Sequence, residues 1–592
     1  MCNGGNEINE TRKLLKKSFF KNNKKWFWIC LVLRLTMTTA DIVLSYSMMT
    51  IIDTALEGNM TEFAKIVLFC AVTFLLSTIS NYLKRPAYAK FIQIANSNYK
   101  NAVFSKLMDK SIGAFRNDSA SKYISALTND IAVMENGYFE KIFMTIAVTI
   151  EMIVAFVIMI YYNVPLTIVS MLLMIMPLMV SLRSGKKLAE NEKTISIENE
   201  NFIATIKDLL GGFTILKSFK IEDHAKKQFS QTNDRVENAK YIRRMMTQTM
   251  DMMDLFAHTL AQYGIFVVGS IMVIRGTGVT VGIVMMFMQM MNYFLNPAYI
   301  LPPVIASHKA MNNLIDKIAA ALCEEDNMDG KYDWDKPLKD GINIENLTFA
   351  YNNRESNVID GISVKFEKGK SYALVGSTGC GKSTMLNLLM GSLDGYSGKI
   401  SIDGQDVTDI SAKSFYDRIS LVQQNVFLFN DTIRNNITLY RSCSDDELRI
   451  AIRKSGLDDL VSKYGLDYIC GEDGKNLSGG EKQRISIARC LLYKTDILML
   501  DEATSALDRV TAANVFNAVL NSNDITRIVV THQLDEEILK RFDEIVVMKK
   551  GKIIEHDKFE KLMDKKGYFY SLYTIESEQT EDNGANNLKT AS

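Results

Sequence analysis

Net charge is the first thing this chain of 592 residues lacks: 68 Lys and Arg are balanced by 68 Asp and Glu. Without a global basic field nothing concentrates a phosphate backbone, so nucleic acid is not an expected partner. Cysteine is sparse and scattered, at positions 2, 30, 70, 323, 380, 443, 470 and 490, with no metal-type spacing. The thiols are read as free, with the C-terminal half in a reducing cytosol. Prolines number only 7, and no long low-complexity tract interrupts the chain. The N-terminus lacks a short apolar core ending in small residues, so no removable signal peptide is expected. The length excludes one ordinary domain and points to two large units.

What is present divides the chain. Mean hydropathy is near zero because two unlike halves cancel. Six apolar runs, at about 26–52, 63–83, 141–162, 164–182, 255–275 and 279–301, approach the roughly 20 residues a helix needs to cross hydrocarbon. Stretches such as IFMTIAVTIEMIVAFVIMIYY have no polar face at helical spacing, which favours lipid as the solvent. Pro177 lies in the fourth run, where neighbouring helices can satisfy the freed carbonyl. The N-terminal TRKLLKKSFFKNNKK is basic and the first loop DTALEGNMTEFAK mostly acidic, so both termini are expected in the cytoplasm. Long helix-forming segments separate runs two and three, and four and five, and these are expected to project into the cytoplasm. The acidic, aperiodic stretch CEEDNMDGKYDWDKPLKDG reads as a linker.

Charges inside apolar runs are costly. Arg34 and Asp41 share a helical face, Glu151 lies mid-span, and Asp251, Asp254, His258 and Gln262 form a stripe. Each is open to two readings, internal pairing or a polar wall along a translocation path. The methionine-rich VMMFMQMMNYFLNP is read first as packing and second as an adaptable apolar surface.

The strongest chemical signal is ALVGSTGCGKSTMLNLL, an apolar strand, a glycine-rich turn and an apolar helix. Glycines let successive N–H groups curl inward on phosphate oxygens at a helix N-terminus. Lys382 then reaches the β- and γ-phosphates, and the Ser383 hydroxyl ligates Mg²⁺. Cys380, beside Lys382 and that N-terminus, is open to two readings, one more small group on a tight turn or a reactive thiolate that maleimide attacks and MgATP protects. Downstream, DILMLDEATSALD is an apolar strand ending in Asp501, which can hold Mg²⁺ through water, and Glu502, which can polarise the attacking water. LSGGEKQR opens a helix with Ser478, Gly479, Gly480 and Glu481, a second anion-reading N-terminus. Two such sites for one nucleotide make sense if two copies pair head to tail, each SGG meeting the γ-phosphate held by the other.

With these residues in place the chain resembles the ATP-binding cassette transporters, of the exporter half-transporter type, over almost its entire length. The resemblance implies an all-α six-helix transmembrane domain (1–322), a linker (323–340), an α/β P-loop nucleotide-binding domain (341–575) and a polar tail (576–592). It also implies roles for single residues. Tyr351 resembles the aromatic that stacks on adenine, and Gly376, Ser377, Thr378, Gly379, Cys380, Gly381, Lys382, Ser383 and Thr384 the Walker A loop. Gln424 matches the Q-loop glutamine near Mg²⁺, residues 477–481 the signature, and Asp501 with Glu502 the Walker B strand and catalytic glutamate. Asp508 falls in the D-loop and His532 resembles the switch histidine. AFRNDSASKYISALTNDI and GGFTILKSFKIED resemble the two intracellular loops that dock on nucleotide domains. Gln423 stands where proline is usual and Gln533 where arginine is usual; neither change removes a catalytic group.

The expectation is therefore an ATPase in the plasma (inner) membrane, with ATP and Mg²⁺ as cofactors. Glu502, His532 and Lys382 act catalytically, and Ser383, Gln424 and Asp501 sit around the metal. Its partners are a second half-transporter (homodimer or heterodimer), the lipid bilayer and an unidentified peptide, lipid or amphipathic cargo, moved outward. The rivals are an exporter-fold importer of a metal chelate and a nucleotide-gated channel or regulator.

Overall fold

The computed structural model describes residues 4–116, 120–323, 332–351, 356–504, 507, 509–521, 524–532 and 535–575. Residues 324–331 of the expected linker and the tail 576–592 lie outside the described residues. Two compact units emerge, Met1–Met108 with Ala120–Cys323, and Asp109–Ser119 with Glu324–Ser592. Residues 109–116, expected in the membrane domain, belong here with the C-terminal unit.

The first unit is helical: α1 (Gly4–Ser18), α2 (Lys24–Glu57) and α3 (Met60–Met108), then, beyond α4 (Ile112–Arg116) of the second unit, α5 (Ala120–Leu127), α6 (Asn129–Met134), α7 (Glu140–Tyr162), α8 (Val164–Gly211), α9 (Phe213–Ser218), α10 (Glu222–Ile274) and α11 (Val281–Leu322). Breaks and starts follow side chains that satisfy free backbone groups. Buried Asn23, between α1 and α2, donates its amide to the carbonyls of Phe19 and Phe91 at 3.1 and 2.8 Å. Gly58, at φ 73°, ends α2 in the left-handed region. Asn163 accepts from the Leu166 N–H to start α8, and Thr280 from the Ile283 N–H to start α11.

Each apolar run lies in its own helix. α2, α3, α7 and α10 are long and apolar enough to cross a membrane, whereas the described apolar stretches of α8 and α11 are shorter, Val164–Met176 and Val281–Phe294. The unit turns much apolar surface outward: Phe69, Val72, Phe74 and Leu75 on α3 are all more than half exposed. Water would not stabilise such a face; lipid does. The methionines divide the other way. Met286, Met290 and Met291 are fully buried with Phe287 in a core shared with α7 and α10, so packing accounts for them. Glu151, 5 % exposed, faces the charges of Arg34 and Asp41 on α2, and the Tyr293 hydroxyl donates to the Asp41 carbonyl at 2.9 Å. The Gln262 amide donates to Asn292 at 3.2 Å, tying α10 to α11; the side chain of Asp254 lies outside the described ones.

The second unit carries two sheets. Strands β1 (Gly341–Phe349), β2 (Ile359–Glu367), β4 (Ser397–Ile402) and β5 (Gln405–Asp406) form an antiparallel sheet in the order β2-β1-β4-β5. The larger sheet, in the order β10-β9-β3-β8-β7-β6, contains β3 (Ser371–Gly376), β6 (Ile419–Val422), β7 (Ile497–Asp501), β8 (Thr526–Val530), β9 (Glu544–Lys549) and β10 (Lys552–Asp557). Its strands β9, β3, β8, β7 and β6 run parallel. Helices α12 (Lys382–Leu389), α13 (Ala412–Tyr416), α14 (Ile433–Thr438), α15 (Asp445–Lys454), α16 (Asp458–Tyr464), α17 (Gly479–Tyr493), α18 (Arg509–Leu520), α19 (Glu536–Leu539) and α20 (Phe559–Lys565) complete it. β3 and β8 are buried throughout or nearly so, as expected of central parallel strands whose apolar residues face helices on both sides.

Candidate active site

In an open parallel sheet, ligands bind outside the carboxyl ends of the strands. Here β3, β8, β7 and β6 are consecutive neighbours, and each delivers a candidate residue at that end: the loop 376–381, His532, Asp501 with Glu502, and Gln424.

The loop leaves β3 and enters α12 through Gly381, whose φ of 110° excludes an ordinary side chain. A Cβ there would also approach the Val358 carbonyl to 2.8 Å. At Gly379 (φ 77°), by contrast, nothing lies within 4 Å of where a Cβ would sit, leaving open space over the exposed stretch 377–379. The Lys382 ammonium folds back over the loop and donates to the carbonyls of Gly376 and Ser377 at 2.8 and 3.2 Å. The Ser383 hydroxyl donates to Asp501 Oδ1 at 3.0 Å. A hydroxyl and a carboxylate so placed are the hard oxygen donors that suit Mg²⁺, so the residues present fit that ion. Burial pushes the Asp501 carboxyl above its usual range, opposed by the Ser383 hydrogen bond and reinforced by the Glu502 charge.

Glu502 is gripped from two sides. Its Oε2 accepts from Gln424 Nε2 at 2.8 Å, and its Oε1 lies 2.8 Å from His532 Nε2. Its backbone is left-handed, φ 50°, a conformation that costs a non-glycine residue about 1–3 kcal/mol and persists where surroundings impose it. The imposition is visible: the Glu502 N–H donates to the Val530 carbonyl of β8 at 3.2 Å.

The remaining candidates occupy the periphery. Tyr351 packs edge-on against Phe349 with ring centroids 4.9 Å apart, and its hydroxyl shares a 3.2 Å hydrogen bond with Thr384. Ser478 caps α17 in a capping box. Its Oγ accepts from the Glu481 N–H at 3.3 Å, and the Glu481 carboxylate accepts from the Ser478 N–H at 2.6 Å. Ser478 and Gly479 are exposed, with Gly480 half-buried behind them. Asp508 and Gln533 lie outside the described residues. One expectation is corrected. Cys380 is only 3 % exposed and belongs to the apolar core of its unit. A thiol so placed is inaccessible to maleimide unless the loop opens.

Sequence reading did not single out Tyr416, Asn387 or Gly391. Within the second unit, α4 docks on them: the Ile112 N–H donates to the Tyr416 hydroxyl at 3.2 Å and Arg116 to Asn387 at 3.3 Å. A Cβ on Gly113 would come within 2.9 Å of the Gly391 carbonyl. No local motif marks these receiving residues, since they lie some 270–300 positions from α4.

Comparison with known proteins agrees with this geometry. Residues 27–298 match the family profile described as ABC transporter transmembrane region, and residues 359–505 that described as ABC transporter. A Staphylococcus aureus protein named as a multidrug export ATP-binding/permease protein is 30% identical over 492 residues, 81% of this chain and 83% of that one. An ATP-dependent lipid A-core flippase of Desulfotalea psychrophila is 29% identical over 490 residues, 81% of this chain and 84% of that one. Among solved structures, a bacterial Atm1-family ABC exporter with ATP bound shares the fold. Its TM-score is 0.80 at 20% identity, covering 93% of this chain and 98% of that one.

Proposed function

Since the chain belongs to the ABC transporter family, as an exporter whose membrane region is fused to its ATP-binding domain, we propose that it pairs with a second such chain and uses ATP hydrolysis to drive an amphipathic cargo outward across a bacterial-type plasma membrane. The observation that carries this reading is the grip of Gln424 and His532 on Glu502 beside the phosphate loop. A carboxylate fixed by two hydrogen-bonding neighbours is prepared to accept a proton from an attacking water. Lys382 supplies charge at the γ-phosphate, and His532 holds the base in place while that charge develops. Ser383 and, through water, Asp501 would hold Mg²⁺, with Gln424 alongside; the ion supplies positive charge to the β- and γ-phosphate oxygens.

Six membrane spans per chain, with both termini and the ATP-binding domain cytoplasmic, fit the basic N-terminus and the charge of the first loop. Two chains would then build two composite sites, the exposed N-terminus of α17 from one facing the phosphate loop of the other. Closing them should swing the bundles from inward-open to outward-open. Export is favoured over uptake because the relatives are named for export and flipping. A purely gating role is disfavoured by the complete catalytic set, which gating alone would not require.

The decisive test is transport in reconstituted vesicles of known orientation, with a panel of peptides, lipids and hydrophobic cations as ligands. A cargo should stimulate the ATPase and accumulate in the lumen only when the ATP-binding domains face the bath. Accumulation solely in the opposite orientation would sink export; hydrolysis that no ligand alters would count against coupling.

A further inference from the structure

Between α2 and α3 lies an apolar groove of about 610 Å³, lined by Trp26, Trp28 and Val32 from one helix and Leu83, Pro86 and Ala87 from the other. It opens outward: Trp28 is 59 % exposed, Val32 58 % and Leu83 50 %. Pro86 lies inside α3 and has no N–H to return to the carbonyl of Tyr82. The missing hydrogen bond leaves the Tyr82 carbonyl without its helical partner beside the groove.

One end of the groove is cationic. On a helix, positions four apart share a face. Lys24 therefore lies one turn from Trp28, Lys25 one turn from Ile29, which also lines the groove, and Lys90 one turn from Pro86. Because α2 and α3 are antiparallel neighbours joined by a short turn at Gly58 and Asn59, all three turns run toward the same end. All three lysines are exposed, and among the described residues none forms a salt bridge. Among the described residues their one side-chain partner is the neutral Gln93, which accepts from Lys90 at 3.0 Å.

We propose that this groove is a binding site for an anionic phospholipid of the cytoplasmic leaflet, its acyl chains against Trp26, Trp28 and Leu83 and its phosphate against Lys24, Lys25 and Lys90. The proposal goes beyond the transport reading and rests on α2 and α3 spanning the bilayer with the N-terminus of α2 on the cytoplasmic side, as proposed above. Indole rings belong at the boundary between headgroups and acyl chains. Lysines near an anionic surface each contribute on the order of 1 kcal/mol, so three of them select for headgroup charge where the apolar wall alone would not.

The chain supplies its own reporter. It has 3 tryptophans, and Trp334 is buried in the second unit, so Trp334→Phe leaves emission from Trp26 and Trp28 alone. The full-length Trp334→Phe protein would be reconstituted in mixtures containing brominated-tail phosphatidylglycerol or brominated-tail phosphatidylcholine. The anionic lipid should quench at a mole fraction lower than the zwitterionic one by on the order of a hundredfold, and adding Lys24→Gln, Lys25→Gln and Lys90→Gln should abolish that preference while quenching persists. Equal quenching by both lipids before the lysines are removed overturns the proposal, as does a preference that survives their removal. Quenching that comes and goes with MgATP would assign the groove to cargo and also overturn it. Quenching by neither lipid would remove the membrane placement of α2 and α3, a separate failure that takes this proposal with it.

Discussion

Glu502 is held in a backbone conformation that costs energy, with both carboxylate oxygens engaged. Glu502→Gln keeps the shape and one acceptor oxygen, so Gln424 retains its partner, but an amide cannot take a proton from water. Hydrolysis should fall by about 10²–10⁴-fold while ATP affinity is preserved; ATPase at the parental rate would refute the assignment. Lys382→Ala acts differently, since its ammonium ties the loop to itself and is the group proposed to meet the phosphates, so nucleotide affinity itself should drop in an equilibrium binding measurement. Cys380 reverses what its sequence neighbourhood suggests. Mass spectrometry after brief maleimide treatment should find the half-buried Cys443 of the second unit modified and Cys380 untouched. Prompt labelling of Cys380 would mean that the loop opens in solution. The phosphate loop, Asp501, Glu502 and His532 were legible because each motif is contiguous and its chemistry local. The burial of Cys380 was not, because it is set by Ile359 and Met548, which pack around the loop from distant segments.

At the scale of elements, the apolar runs told where helices exist but not where they end. A run of about 20 residues records only the stretch that lipid covers, while α3, α8 and α10 extend to 49, 48 and 53 residues through polar sequence. That extension was anticipated from helix-forming composition between the runs. The receiving surface for α4 was invisible, because a docking partner leaves no periodicity in either segment. Gly113 is the point to test. A methyl group there meets a backbone carbonyl, which cannot swing aside as a side chain can. Gly113→Ala should leave basal ATP hydrolysis within about twofold, since Gly113 is buried against Gly391 and Asp394 and touches neither Glu502 nor Lys382. It should also reduce the response of the ATPase to cargo. An unchanged ligand response in vesicles would show that α4 does not transmit it.

At the scale of the whole molecule, a site shared between copies makes a prediction that no single chain can satisfy alone. A chain with Lys382→Ala and a chain with Ser478→Arg should each be inactive as homodimers. Mixed, they place the damaged loop against the damaged signature on one side and leave the other side intact, so co-assembled dimers should recover hydrolysis. No recovery in verified mixed dimers would mean that each chain works by itself, or that both sites must fire together.

The sheet order also has a consequence for synthesis on the ribosome. β3, which carries the phosphate loop, pairs on one side with β8 and on the other with β9. Both partners are encoded about 150 or more residues later: Ser371 meets Arg527, and Tyr372 meets Glu544. At about 5–20 residues per second, the strand emerges roughly ten to thirty seconds before either neighbour exists. Through that interval an apolar strand with two open edges stands beside a membrane region already being inserted, and such edges pair readily with whatever strand they meet. The parallel order that gathers four candidate-site segments at one rim therefore makes the nascent ATP-binding domain dependent on being kept from premature pairing until its last third has been made.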